Sequence, residues 1–90
     1  MHYLYILYSE KIDQFYVGQT GDLDDRIFRH NAGKSLSTRK GVPWKLSISI
    51  PFETRSKAMK AEQWVKKMKS RQVIERVILG DLDLKNITKG

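Results

Sequence analysis

The chain has 90 residues, a formal net charge of +7 and no cysteine. That length holds one small domain with a modest core, and the missing cysteine excludes disulfides and thiolate metal sites and fits a reducing compartment. Two histidines are too few for a three-histidine metal centre, and with neither an apolar run of about 18 residues nor a charged-then-apolar leader, the expectation is a cytoplasmic protein with no membrane partner. A charge of +7 on so small a surface predicts attraction to polyanions, nucleic acid foremost.

The first element reads from His2 to Tyr8. It is apolar or aromatic at every position after His2, as suits a central strand covered on both faces. A polar turn, Ser9 to Gln14, leads to a second strand from Phe15 to Gln19, most economically as an antiparallel hairpin. Asp22, Asp24 and Asp25 then place carboxylates at the start of a helix, where the macrodipole favours them, with Asp22 or Thr20 as the cap. Asn31-Ala32-Gly33 reads as its stop.

Lys34 to Pro43 is basic, contains Gly and Ser, and reads as a mobile loop. From Trp44 to Phe52 the alternation is clean. Trp44, Leu46, Ile48, Ile50 and Phe52 are expected on one face, and Pro51 argues for a sheet edge. Thr54 or Ser56 caps a helix that runs to about Lys69, and a shorter helix covers Gln72 to Leu79. Residues 1–79 are thus expected to form a single domain, with 80–90 a short polar tail that has little to pack. The order β-β-α-β-α-α predicts an α/β fold, a small three-stranded antiparallel sheet flanked by helices.

Three groups of residues are candidates for chemistry. Glu62 lies within the apolar stripe of the second long helix, four residues beyond Ala58 and three before Val65. A carboxylate turned toward a core is costly unless a cation or hydrogen bonds compensate it, and Lys66 at i+4 is the plain structural partner. Arg26 and His30 share a helix face with Leu23 and Ile27. The plain reading is a snorkelling arginine and a boundary histidine. Tyr5 sits on the first strand, and Tyr16 shares a face of the second with Gly18, whose missing side chain leaves a gap that a ligand or backbone can approach. Together these are the parts of phosphodiester hydrolysis. A carboxylate can hold a hydrated Mg²⁺ or Mn²⁺, an arginine can stabilise transition-state charge, and a phenol or imidazole can take a proton.

In order and spacing, the motifs Tyr3-Leu4-Tyr5, Tyr16-Val17-Gly18, "QTGDLDDRIFRH" and "KAEQWVKK" resemble the GIY-YIG nucleases. The likeness is nearest to the small stand-alone bacterial members of the excinuclease-like branch. The resemblance implies a divalent-metal-dependent endonuclease acting on DNA, with a place in repair or recombination; RNA stays open as a substrate. It implies that Glu62 is the one protein ligand of a single Mg²⁺ or Mn²⁺ and that Arg26 contacts the scissile phosphate. One of Tyr5 and Tyr16 would help deprotonate water while the other hydrogen-bonds the phosphate or a metal-bound water. His30 would assist proton transfer or hold the neighbouring phosphate, Lys66 would add a phosphate contact, and Gly18 would keep the approach open. Lys34, Arg39 and Lys40 are expected to contact DNA from the basic loop. Tyr3 stands where the first motif names a glycine, and "KKMKSRQ" lacks the asparagine found in some members. The alternative from another class is a non-catalytic nucleic-acid-binding module that uses the same basic surface.

Overall fold

A computed structural model describes residues 1–89. Strands β1 (His2–Ser9), β2 (Gln14–Thr20) and β3 (Lys45–Phe52) form one antiparallel sheet in the spatial order β2-β1-β3. The expected fold class is therefore observed, and β1 is central because its side chains are apolar on both faces. Leu4 and Ile6 pack on one side with Val17, Phe52 and the helical residues Ala58, Ala61 and Val65. Tyr5 and Leu7 pack on the other with Trp44 and the half-buried Tyr16, Leu23 and Ile27.

The helices begin where the capping residues stand. Helix α1 (Leu23–Asn31) starts at Asp22, whose carboxylate accepts a hydrogen bond from the Asp25 amide at 3.1 Å. Thr54 caps α2 (Arg55–Met68) by accepting from the Lys57 amide, and Ser70 caps α3 (Arg71–Leu79) by accepting from the Val73 amide. Such caps satisfy amides that have no partner within the helix. Helix α1 covers the Tyr5 face of the sheet; α2 lies across the Leu4 face. Among the described residues no helix is long and apolar enough to cross a membrane.

Three expectations are corrected. The β3 face is not continuous: Ile48 pairs with Ile6, but Leu46 already pairs with Leu7, so a bulge shifts the register between them. Ile48, Ile50 and Phe52 therefore meet one core while Trp44 joins the other, and Leu46 is left exposed. The indole decides this. Its Nε1–H, buried, donates to the Thr38 carbonyl at 2.7 Å, and the Asn31 side chain brackets the Trp44 backbone at 2.6 and 3.0 Å.

Those same bonds correct the second expectation. The segment from Lys34 to Pro43, read as a mobile loop, is tied down: it holds a 3₁₀ turn at Arg39–Gly41, and Thr38 and Gly41 are buried. Third, the segment after Gly80 does pack. It forms a short helix α4 (Leu84–Ile87), Leu84 is fully buried in the core, and Leu82 lies against it. Polar neighbours hide this anchor, because a single turn of helix carries too few apolar residues to show a period. Gly90 lies outside the described residues.

Leu84→Ala is expected to cost about 2–5 kcal/mol, the range for truncating a buried leucine. Urea denaturation with an unchanged m-value would register it, and a loss under 1 kcal/mol would mean that the segment is not part of the core.

Candidate active site

Gly18 pairs directly with Tyr5 across the β1–β2 ladder. A Cβ built at position 18 would stand 2.5 Å from the Tyr5 Oη and 2.6 Å from its Cζ, so the gap left by the glycine is filled by the phenol itself. What approaches the backbone there is Tyr5. The phenol, lying across β2, reaches His30 on α1, with its Oη 3.0 Å from Nε2, and the other ring nitrogen is 2.9 Å from the Thr38 Oγ1. Tyr5, His30 and Thr38 are all buried. The Tyr16 ring covers them, its centroid 4.7 Å from that of His30 and 6.2 Å from that of Tyr5, and it is itself half-buried.

Arg26 lies one turn before His30 on α1, exposed, with its guanidinium beside the Tyr5 hydroxyl. The positive charge of Arg26 lies beside the Tyr5 oxygen, which is hydrogen-bonded to His30 Nε2. A neutral imidazole donates through one ring nitrogen and accepts through the other, and the Tyr5 and Thr38 hydroxyls suit either role. Burial pushes the Tyr5 pKa well above the ordinary tyrosine value, with the Tyr16 and Glu62 charges adding to the rise and Arg26 opposing it. The phenol stays protonated at neutral pH. His30 is displaced downward, chiefly by burial and then by the charge of Arg26.

Glu62 approaches from α2. It is 19 % exposed and forms an ion pair with Lys66 at 3.1 Å, the plain partner expected from their spacing. The Lys66 ammonium in turn lies 5.8 Å from the Tyr16 ring centroid. Glu62 is thus tied to the phenols by Lys66 on Tyr16 and by its effect on Tyr5.

Tyr5, Tyr16, Arg26, His30, Glu62, Lys66 and Gly18 therefore meet around the middle of β2. The other predicted residues stand apart: Lys34, Arg39 and Lys40 are exposed on the α1–β3 segment, and the Arg39 Nε donates to the Gly33 carbonyl at 3.0 Å. Thr38 escaped the sequence reading. A lone threonine in a polar basic stretch gives no signal, and its role exists only because Trp44 pins the loop under α1.

Two outcomes follow from this geometry. Gly18→Ala must displace the Tyr5 ring, with an expected loss of about 1–3 kcal/mol from overpacking, and the His30 titration should move up toward the ordinary value; an unchanged NMR titration would break the link. In the wild type, the depressed His30 pKa means that the unfolded chain takes up a proton near pH 6.5 while the folded chain resists it. The stability linked to His30 is therefore complete above about pH 6.5 and is lost as pH falls toward the folded value, which thermal melts of wild type and His30→Gln would separate.

A family model described as the GIY-YIG catalytic domain matches residues 1–74. A UPF0213 protein of Bacillus licheniformis is 40% identical over 78 residues, spanning 86% of this chain and 78% of that protein. A UPF0213 protein of Halalkalibacterium halodurans is 36% identical over 89 residues, spanning 98% and 94%. Among solved structures, the solution NMR structure of a UPF0213 protein from Bacillus halodurans matches with a TM-score of 0.55 at 36% identity, covering 86% of this chain and 81% of that one. With its paired tyrosines, its Arg26–His30 helix and Glu62 gathered at β2, the chain belongs to the GIY-YIG nuclease family, and its relatives are the small bacterial UPF0213 proteins.

Proposed function

We propose that this protein is a divalent-metal-dependent endonuclease that hydrolyses phosphodiester bonds in DNA, in repair or recombination. The observation that carries the reading is the meeting of two phenols, a guanidinium, an imidazole and a carboxylate from β1, β2, α1 and α2. No packing requirement of a core calls for that set.

The donor chemistry fits Mg²⁺ or Mn²⁺. Glu62 offers a hard anionic oxygen with part of its side chain open, and no cluster of three or more His, Cys, Asp or Glu stands among the described residues. One protein ligand with water completing the shell is the arrangement that small hard cations accept. Bound at Glu62, the cation would supply Lewis-acid stabilisation of the phosphate oxygens.

The remaining roles belong to the chain's own side chains. Arg26, exposed beside the buried phenol, donates to the phosphate oxygens as negative charge gathers on them. Tyr5 is held neutral, so Tyr16, the phenol nearer solvent, is the one assigned to the attacking water. Tyr16 orients that water by a hydrogen bond; its oxygen bonds to phosphorus as its proton passes to neighbouring solvent, the phosphorus–oxygen ester bond breaks with its electron pair on the leaving oxygen, and that oxygen takes a proton from solvent. His30 is enclosed behind the Tyr5 and Tyr16 rings and acts as a positioning residue, fixing the Tyr5 ring. Lys66 adds positive charge at the phosphate, and Lys34, Arg39 and Lys40 extend the contact along the backbone of the substrate.

The Glu62–Lys66 ion pair favours the second reading, a nucleic-acid-binding module without catalysis, because it occupies the carboxylate with the protein's own cation. Metal dependence separates the two. End-labelled single-stranded, duplex and branched DNA should be cut with Mg²⁺ or Mn²⁺ and not with EDTA. Glu62→Ala should slow cutting by about 10²-fold or more, and Arg26→Ala should do the same without rescue by Arg26→Lys, whose point charge lacks the fork. Cleavage by Glu62→Ala at the wild-type rate would overturn the mechanism; binding without cleavage by either protein would establish the module.

A further inference from the structure

Helix α2 stops in an unusual way. Its C-cap, Lys69, adopts the left-handed conformation, φ 48° and ψ 41°. A side chain makes that conformation costly, and helices normally give it to glycine. This chain follows the rule elsewhere: Gly33, just past the end of α1, has φ 72°, and Gly80 at the end of α3 has φ 85°. Only α2, among these three helices, spends a lysine there. Strain of this kind persists where the side chain is needed.

The Lys69 side chain lines a groove of about 420 Å³ between β2 and the α2–α3 junction. Phe15, Val65 and Ile74 give it an apolar floor, and Tyr16 and Lys66 stand at the end it shares with the candidate active site. Glu62, Lys66 and Lys69 fall at i, i+4 and i+7, on one flank of α2. Lys69 therefore lies about 10 Å along the helix from Glu62. The groove's other cations are engaged. Lys66 is paired with Glu62 and Arg71 with Asp13 at 2.8 Å, whereas Lys69 forms no ion pair among the described residues.

We propose that this groove binds a single-stranded nucleic acid segment flanking the scissile phosphate, with Lys69 holding a backbone phosphate and the apolar floor taking an unpaired base. The inference rests on the nuclease reading, or equally on the binding-module reading, of the adjoining site. Apolar floors edged by positive charge suit single strands, whose base faces are free; a duplex offers such a groove only its phosphates. The positive charge runs on from Lys66 at the candidate site to Lys69, so one strand can engage both.

Lys69→Gly distinguishes a ligand role from a structural one, because the two roles move in opposite directions. The backbone strain is relieved, so the melting temperature should rise by a few degrees. Binding of a labelled single-stranded oligonucleotide in EDTA, by contrast, should weaken about three- to tenfold, and the slope of log K against log salt should fall by about one. Lys69→Asn, which tolerates the same backbone, should weaken binding equally. Lys57→Gln removes one charge on the opposite flank of α2 and should change affinity less than about twofold. Wild-type affinity in both Lys69 variants overturns the proposal, as does an equal loss in Lys57→Gln. A blunt duplex bound as tightly as the single strand, with the same loss on mutation, overturns the single-strand assignment. Failure of the wild type to bind any of these DNAs would instead sink the nucleic-acid reading itself, and it shows in a separate arm.

Discussion

The absence of a side chain at Gly18 is the constraint on which the site depends. Only because no Cβ stands there can the Tyr5 ring cross its neighbouring strand and put its hydroxyl on His30. That bond fixes the imidazole, the imidazole fixes Thr38, and Thr38 is held through its carbonyl by the Trp44 indole. A glycine that looks like an opening for substrate is thus the socket of a buried polar chain. Such chains stiffen a site when every member is satisfied, and here Tyr5, His30 and Thr38 each have a hydrogen-bond partner.

Burial then divides the labour between two chemically similar phenols. Tyr5 lies among desolvated neighbours and keeps its proton, with the charge of Arg26 beside it. Tyr16 sits over it, nearer solvent, with Lys66 beyond. The candidate site thus has an enclosed half, Tyr5 and His30, and a more open half, Tyr16 and Lys66. His30 is enclosed, with the Tyr16 ring against it.

Charge is arranged as deliberately as packing. From Arg55 to Arg71 the chain carries one acid, Glu62, among seven Lys or Arg. A lone carboxylate in such surroundings is held by its neighbours, and Lys66 holds this one. The pair keeps the free protein neutral at that point while the positive charge continues along the same flank to Lys69. At the far end of the sheet, Arg71 spends its guanidinium on Asp13 and on the face of Phe15, tying the β1–β2 turn to α3. A basic protein can therefore use some cations as struts and leave others for a polyanion, and position on the helix decides which.

Much of this is legible in the sequence. Asp22 and Thr54 announce helix starts, Gly33 marks an end, and the apolar run of β1 marks the central strand, because caps and periodicity act through neighbouring residues. The order of Tyr5, Tyr16, Arg26, His30 and Glu62 was legible too, since spacing along a strand or helix is local information. What lies across chain distance was not. Nothing near Leu46 shows the bulge that sends Trp44 to the opposite core; the buried indole's need for an acceptor does, and that acceptor is six residues back on a separately folded segment. Leu84 is a core residue only because α4 finds a place there, and position 69 is left-handed because α3 starts two residues later. The sequence by itself determined the elements, their order and the chemical kit, since these follow from local backbone and side-chain preferences. Tertiary structure alone decided that Gly18 houses a phenol, that His30 is enclosed and that Thr38 belongs to the site, because each depends on which surfaces meet when the sheet is covered.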